Sequence, residues 1–277
     1  MLPPDSHVHT EWSWDAAGGS MERTCARARE LGLSCLAFTD HADFTRWQAP
    51  PDLAAHLPPG VSVTVAPDGR VDTRPLQVDG YLAGLQRCRD QFPDLRILSG
   101  LELGEAHWHA SQVASVLAAG DFDRLLGSVH ALEQTAPEAV DFLFSSMEPG
   151  ELVRAYLAEV LRLVESPAPF GVLAHIDYPV RYWPGHRPPF APADYAEEYR
   201  TVLAALAASG RALEINTVVP LDPEIVRWWR DAGGTAVTFG SDAHEPGELA
   251  LGLTDAAALA ESCGFRPGQH LHDFWRR

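Results

Sequence analysis

Histidines and acids recur in short motifs along the 277-residue chain. His7 and His9 lie in DSHVHT, Asp40 and His41 in AFTDH, Glu102 in GLELGE and His130 in GSVH. His175 follows in LAHID, Glu214 in LEINT, and Asp242 with His244 in GSDAH. Neutral imidazole nitrogen and carboxylate oxygen are ligands for zinc, iron or manganese. Residues two apart on a strand point the same way, so His7 and His9 can face one centre, as can Asp242 and His244. A carboxylate such as Glu102 has two oxygens and can bridge two ions. Burying so many polar groups without partners would cost several kcal/mol each, a cost that metal coordination removes. Singly, each residue has a plainer explanation. An HxH pair is often incidental, His130 suits a hydrogen-bonded core histidine, and Asp40 or Ser241 suits a helix cap. The recurrence of all of them at the ends of apolar runs is what points to metal. His56, His107, His109, His186, His270 and His272 fall outside this pattern. His107 and His109 in EAHWH adjoin the rim, while His270 and His272 read as surface or packing residues.

The elements that must position these groups alternate along the chain. Strands are predicted at Ser6–Thr10, Cys35–Thr39, Leu95–Leu103, Arg124–Val129, Gly171–His175, Ala212–Ile215 and Ala236–Phe239. Helices are predicted between them at Ser20–Leu31, Asp79–Gln91, Ala110–Ala119, Pro149–Glu165, Ala193–Ala208, Asp222–Ala232 and Glu248–Ser262, from apolar spacing, caps and stops. Seven β-then-α units imply a parallel sheet. The odd number favours a distorted (β/α)7 barrel, TIM-barrel-like, although a doubly wound sheet gives the same string. In a barrel the C-terminal strand ends share one rim, where active sites form, so the metal site is expected there. A single domain over residues 1–277 is expected, with two long loops. Thr45–Val78 is rich in Pro, Asp and Gly, and Tyr178–Pro192 carries too many prolines for a long helix.

Composition narrows the function. Apolar residues make up 46%, enough for a sizeable core, and the net charge is −17. Such acidity argues against nucleic-acid binding, which rests on basic contacts to phosphates. It suits metal ions or a cationic substrate. Cys25, Cys35, Cys88 and Cys263 show no CxxC spacing and read as buried thiols of a reducing compartment. The opening MLPPDSHVHT has neither a basic nor an apolar signal region, and no apolar run has membrane-spanning length. A cytoplasmic location without membrane contact is therefore expected.

The motif order HxH, TDH, GxE, GSVH, H and SDAH resembles that of the PHP phosphoesterases (polymerase and histidinol phosphatase), over nearly the whole chain. GSVH, EINT and GSDAH look like the histidinol-phosphatase branch. The resemblance implies a (β/α)7 barrel holding three divalent metal ions: zinc, iron or manganese. One ion would take His7, His9, Glu102 and Asp242. A second would share Glu102 and take His130 and His175. A third would take His41, His244 and Asp15, where many relatives carry histidine, and a carboxylate there suits harder ions such as manganese or iron. Glu214 is implied to lie behind the ligands or to be structural. The implied reaction is hydrolysis of a phosphate monoester, since clustered ions make hydroxide available near neutral pH. Arg181 would grip the phosphate through its planar fork, with Arg187 and Arg46 as weaker candidates. Histidinol phosphate also carries an amine and an imidazole, for which Glu105, Asp177, Tyr182 and Trp183 are available. Two alternatives stand beside this expectation. One is another small phosphate ester or a nucleotide end. The other is a non-catalytic metal-stabilised module, like those attached to some bacterial replicative polymerases, whose mark would be degraded ligand positions; only Asp15 departs here.

Overall fold

Seven short strands, almost wholly buried, carry the motifs: β1 (Asp5–Val8), β2 (Cys35–His41), β3 (Arg96–Gly104), β4 (Arg124–Ser128), β5 (Val172–Leu173), β6 (Ala212–Asn216) and β7 (Ala236–Gly240). Burial on both faces is why they read as continuous apolar runs instead of alternating ones. In the computed structural model, which describes residues 2–49, 61–132 and 137–277, these strands are all parallel and lie in chain order. A parallel bridge between Val8 and Ala243 joins the first strand to the segment after the last. His9 N donates to Ala243 O at 2.8 Å and Asp242 N to His7 O at 2.8 Å. That closure distinguishes the barrel from a doubly wound sheet. An eighth strand, β8 (Trp275–Arg276), runs antiparallel beside the start of β7.

Among the described residues seven helices of nine residues or more follow: α1 (Met21–Leu31), α2 (Val78–Gln91), α3 (Ala110–Ala118), α4 (Pro149–Glu165), α5 (Ala196–Ser209), α6 (Pro223–Asp231) and α7 (Leu253–Ser262). Local chemistry sets their ends. Ser20 caps α1 by accepting from Arg23 N, and Gly32 ends it in a left-handed conformation. Pro149 starts α4 and Asp222 caps α6. α4 buries Leu152, Val153, Tyr156, Leu157, Val160, Leu163 and Val164, a stripe at helical spacing. The Tyr156 hydroxyl donates to His175 O at 3.0 Å, tying that stripe to the rim.

The predicted bounds shift where side chains capture the backbone. β5 stops at Leu173, short of the expected His175, because His175 N donates to the Glu214 carboxylate at 2.9 Å instead of to a strand. α7 starts at Leu253, not Glu248, since a 3-10 turn at Pro246–Glu248 and the left-handed Gly252 precede it. The Thr45–Val78 stretch is not simply a loop. Its Trp47–Gln48, Val63–Val65 and Arg70–Thr73 segments form a small antiparallel sheet around buried Trp47 and Val71. His56 lies outside the described residues. The Tyr178–Pro192 stretch opens with a 3-10 turn at Tyr178–Tyr182. All four cysteines are free and buried. Among the described residues no helix is long and apolar enough to cross a membrane.

Candidate metal centre

Two buried aspartates build the rim before any ligand is considered. Asp5 accepts from Ser241 N (3.0 Å), Ser241 Oγ (2.6 Å) and Ala250 N (3.0 Å), fastening β1 to the segment that carries Asp242. Burial pushes the Asp5 carboxyl up to about 6 against the pull of these bonds. Asp40 accepts from Thr10 N (2.7 Å), Thr10 Oγ1 (2.6 Å) and Ser13 Oγ (2.6 Å), which shapes the turn after His9. Asp242 itself has φ 54°, a left-handed conformation that a non-glycine residue holds only under surrounding constraint.

On this rim the structure brings all nine predicted ligand residues together. Glu102, 1% exposed, is the hub. Its Oε2 lies 3.1 Å from His7 Nε2, 3.4 Å from His9 Nε2 and 3.2 Å from His41 Nδ1. Its Oε1 lies 2.8 Å from His175 Nε2 and 3.1 Å from His130 Nε2. Asp242 Oδ1 stands 3.1 Å from His9 Nε2 and 3.4 Å from His7 Nε2. On the outer side Asp15 Oδ2 lies 3.2 Å from His41 Nε2 and 3.1 Å from His244 Nε2. His41 thus stands between two groups, one with Glu102 and His130 and one with His9 and His244.

The hydrogen bonds behind the His7, His9 and His244 rings fix the tautomer of each in its neutral form. His7 Nδ1 is 2.8 Å from the Glu214 carboxylate, which only accepts, so Nδ1 donates and Nε2 presents a lone pair. Ser13 Oγ donates to Asp40 and so must accept from His9 Nδ1 at 3.0 Å, leaving His9 Nε2 bare. His244 Nδ1 donates to Asp242 O at 2.8 Å, with the same result. In the neutral rings, lone pairs therefore face carboxylate oxygens with no hydrogen between them. His7 Nε2 and His9 Nε2 approach to 3.1 Å. Asp15 Oδ1, His41 Nδ1, Asp43 Oδ1 and His175 Nδ1 are buried without a hydrogen-bond partner among the described residues. Such a donor set fits divalent cations.

The electrostatics agree. Burial disfavours charge on His7, His41 and His130, yet the surrounding carboxylates outweigh it and raise all three above the ordinary histidine value. Burial likewise opposes ionisation of Glu102, Asp15 and Asp242, but the imidazoles hold them well below the carboxylate range, with Arg181 contributing at Asp242. His175 is lowered, by burial first. The site demands positive charge.

The remaining expectations divide. Glu214 holds the candidate ligands from behind: besides accepting from His7 it accepts from His175 N at 2.9 Å and Asn216 Nδ2 at 3.1 Å. Arg181 reaches the site, donating to Asp242 Oδ2 (2.5 Å) and Asn216 Oδ1 (3.1 Å). Arg187 and Arg46 do not; they pair with Glu148 and Asp72 on exposed surface. His107 bonds Glu159 at 2.6 Å, and His109 Nε2 is 2.8 Å from Thr45 Oγ1. A cavity of about 260 Å³ opens beside the cluster, walled by Trp14, Trp47, Phe142, Tyr178, Tyr182 and Asp141 among others. Glu105 borders it but is engaged by His130 N, Ala131 N and Thr45 Oγ1. Asp177 does not line it, and Trp183 packs on Phe190 with its Nε1 donating to Pro188 O. The residue reading missed Asp43, whose Oδ2 is 3.2 Å from His41 Nδ1 and accepts from Trp14 Nε1 at 2.9 Å. Its signal was present, since it lies two residues beyond His41 in TDHAD.

Comparison with known proteins supplies the relationship. Residues 5–218 match the model of the PHP domain family. The chain belongs to that family. This PHP domain is 31% identical to the probable histidinol-phosphatase of Deinococcus radiodurans, over 97% of this chain and 96% of that one. It is 26% identical to the histidinol-phosphatase of Lactococcus lactis, over 94% and 91%. In fold it resembles the crystal structure of L. lactis histidinol phosphate phosphatase complexed with zinc, L-histidinol and phosphate, with a TM-score of 0.79, 23% identity, and 96% and 95% of the two chains covered. A putative histidinol phosphatase from Listeria monocytogenes superposes with a TM-score of 0.74 at 18% identity, over 91% and 99%.

Proposed function

We propose that this PHP domain, acting as one domain over residues 1–277, is a metal-dependent phosphatase that converts L-histidinol phosphate and water to L-histidinol and phosphate. The observation that carries the reading is the convergence of imidazole nitrogens from His7, His9, His41, His130 and His175 on the Glu102 carboxylate. Its support in substrate class is that relatives matched over more than nine-tenths of both chains are named histidinol-phosphatase (Lactococcus lactis) and probable histidinol-phosphatase (Deinococcus radiodurans). One ion would be held by His7, His9, Glu102 and Asp242, a second by Glu102, His130 and His175, and a third by Asp15, His41 and His244. Zinc, iron and manganese all suit these donors. Bound divalent ions supply water activation and charge neutralisation to a phosphate monoester.

The chain's own residues do the rest. Arg181 sits over the Tyr178 ring at 4.9 Å and is held by Asp242 and Asn216, so its remaining guanidinium edge is oriented before substrate arrives. A planar fork matches two phosphate oxygens. Trp14, Tyr178 and Tyr182 wall the cavity, limiting water beside the phosphate. About 260 Å³ is slightly below the roughly 300–1,000 Å³ of drug-sized sites, which suits a compact monoester over a nucleic-acid chain. Phosphate release from L-histidinol phosphate, measured beside a panel of other monoesters, tests the reading. Preference for L-histidinol phosphate is expected, and hydrolysis of other esters with none of this one would overturn it.

A further inference from the structure

The leaving alcohol of such a substrate carries an amine, and one carboxylate in the cavity has no work in the metal cluster. Asp141 lies on the helical turn Val140–Leu143 that follows the hairpin of Ala131–Leu132 and Glu138–Ala139. It borders the cavity together with Phe142, Tyr178 and Tyr182. Its electrostatic neighbours are His130, Tyr178 and Tyr182, all on the cavity wall. Arg181, the arginine of this cavity, is taken by Asp242, and Asp141 itself accepts from the backbone N–H groups of Asp141 and Phe142. The other acids on this wall are occupied. Asp15, Asp43, Glu102 and Asp242 face the histidine cluster, and Glu105 is held by backbone N–H groups. A half-buried carboxylate on an apolar wall, held only by neighbouring backbone N–H groups, is stabilised when a cation meets it.

The wall around Asp141 has the matching character. Trp47 and Phe142 lie 5.6 Å apart between centroids, and Tyr178 and Tyr182 meet edge to face at 5.5 Å. Flat apolar faces suit an imidazole ring, and a single carboxylate suits a point charge. An imidazole of ordinary pKa, about 6.5, is mostly neutral at pH 7.5, whereas an alkyl ammonium stays charged. The phosphate cannot occupy this end, because a carboxylate repels a dianion; it belongs beside Arg181 and the cluster.

We propose that Asp141 is the specificity residue of the site, accepting the ammonium group of the leaving alcohol while the aromatic wall takes its ring. The proposal rests on the phosphatase reading above and adds how that site tells an aminated ester from a neutral one. Its test compares L-histidinol phosphate with 3-(imidazol-4-yl)propyl phosphate, the same ester without the amine, as a ratio of kcat/KM values. Wild type should favour the aminated ester at least ten-fold. Asp141→Asn should lower the ratio by about ten- to hundred-fold, the worth of one hydrogen bond to a charged group. The loss should lie mainly in KM, and Asp141→Glu should restore part of it. No wild-type preference, or an unchanged ratio in a folded Asn variant, would overturn the proposal. Calorimetric titration of the metal-loaded protein with L-histidinol and with 3-(imidazol-4-yl)propan-1-ol, phosphate present, reads the same carboxylate without turnover. At least ten-fold tighter binding of the aminated alcohol by wild type is expected, and equal affinities overturn the assignment. A protein that keeps this difference yet hydrolyses no monoester would refute the phosphatase reading and leave Asp141 in place.

Discussion

Glu214 makes no contact with the cavity, yet it decides which nitrogen His7 offers. Its Oε1 accepts from His7 Nδ1 at 2.8 Å, its Oε2 accepts from His175 N at 2.9 Å and Asn216 Nδ2 at 3.1 Å, and the side chain is fully buried. Glu214→Gln keeps the shape but replaces one acceptor oxygen with an NH2 group. Whichever oxygen is replaced, at least one donor must then face another donor. Burial alone would raise the Glu214 carboxyl, but the charge and hydrogen bond of His7 outweigh it and lower it, so the bond is charge-assisted in wild type. Groups that hold metal ligands from behind contribute about 10- to 100-fold in metal affinity, or about 1.4–2.7 kcal/mol. The orphaned buried donor adds about 1–3 kcal/mol of lost folding stability. Metal competition against a chelator, read by elemental analysis, checks the first figure, and denaturant unfolding of the metal-free protein checks the second. An affinity within two-fold of wild type would refute the argument that this bond sets the ligand tautomer.

Arg181→Lys keeps the charge but loses the fork, and should cost about 10- to 100-fold in kcat/KM for phosphate release, visible in steady-state kinetics. Gly240 in GSDAH has no room for a side chain, because a Cβ there would collide with the Glu214 carboxylate and with His7 Cβ; Gly240→Ala should destabilise by about 1–3 kcal/mol in thermal unfolding and lower metal content. Burial pushes Asp177 from 3.8 up to about 6, only partly relieved by Arg181. A raised carboxyl leaves stability intact below 3.8 and loses it progressively as pH rises through 6, because the unfolded chain ionises first. The advantage of Asp177→Asn over wild type in urea unfolding should therefore grow by about 1.4 kcal/mol between roughly pH 5 and 7.5, then level off; a flat difference would contradict the shift.

The convergence of the candidate ligand residues was legible in the sequence because histidines and acids at strand ends combine two strong signals, residue type and period. HxH, TDH and GSDAH sit where the barrel must present them, and α4 was readable to its ends because Pro149 and a long apolar stripe mark it. What escaped depends on contacts between distant segments. Nothing local in LAHID says that His175 N leaves the sheet for Glu214, so β5 was read too long. The small sheet within residues 45–78 rests on Trp47 meeting Val71 across a stretch dense in turn residues. Glu105 is available for substrate by its place in the sequence, but its carboxylate closes onto His130 N and Ala131 N, a backbone demand that composition does not reveal. Asp141 follows no strand motif and reaches the cavity beside the paired segments Ala131–Leu132 and Glu138–Ala139, whose Ala131 and Ala139 also line it.

The central claim is tested most directly by one titration: the chelated protein is reloaded stepwise with divalent metal while phosphate release from L-histidinol phosphate is followed. The account predicts no turnover without metal and a rise that tracks the metal bound. Full turnover by the chelated protein, or a fully loaded protein that leaves L-histidinol phosphate intact, would contradict it.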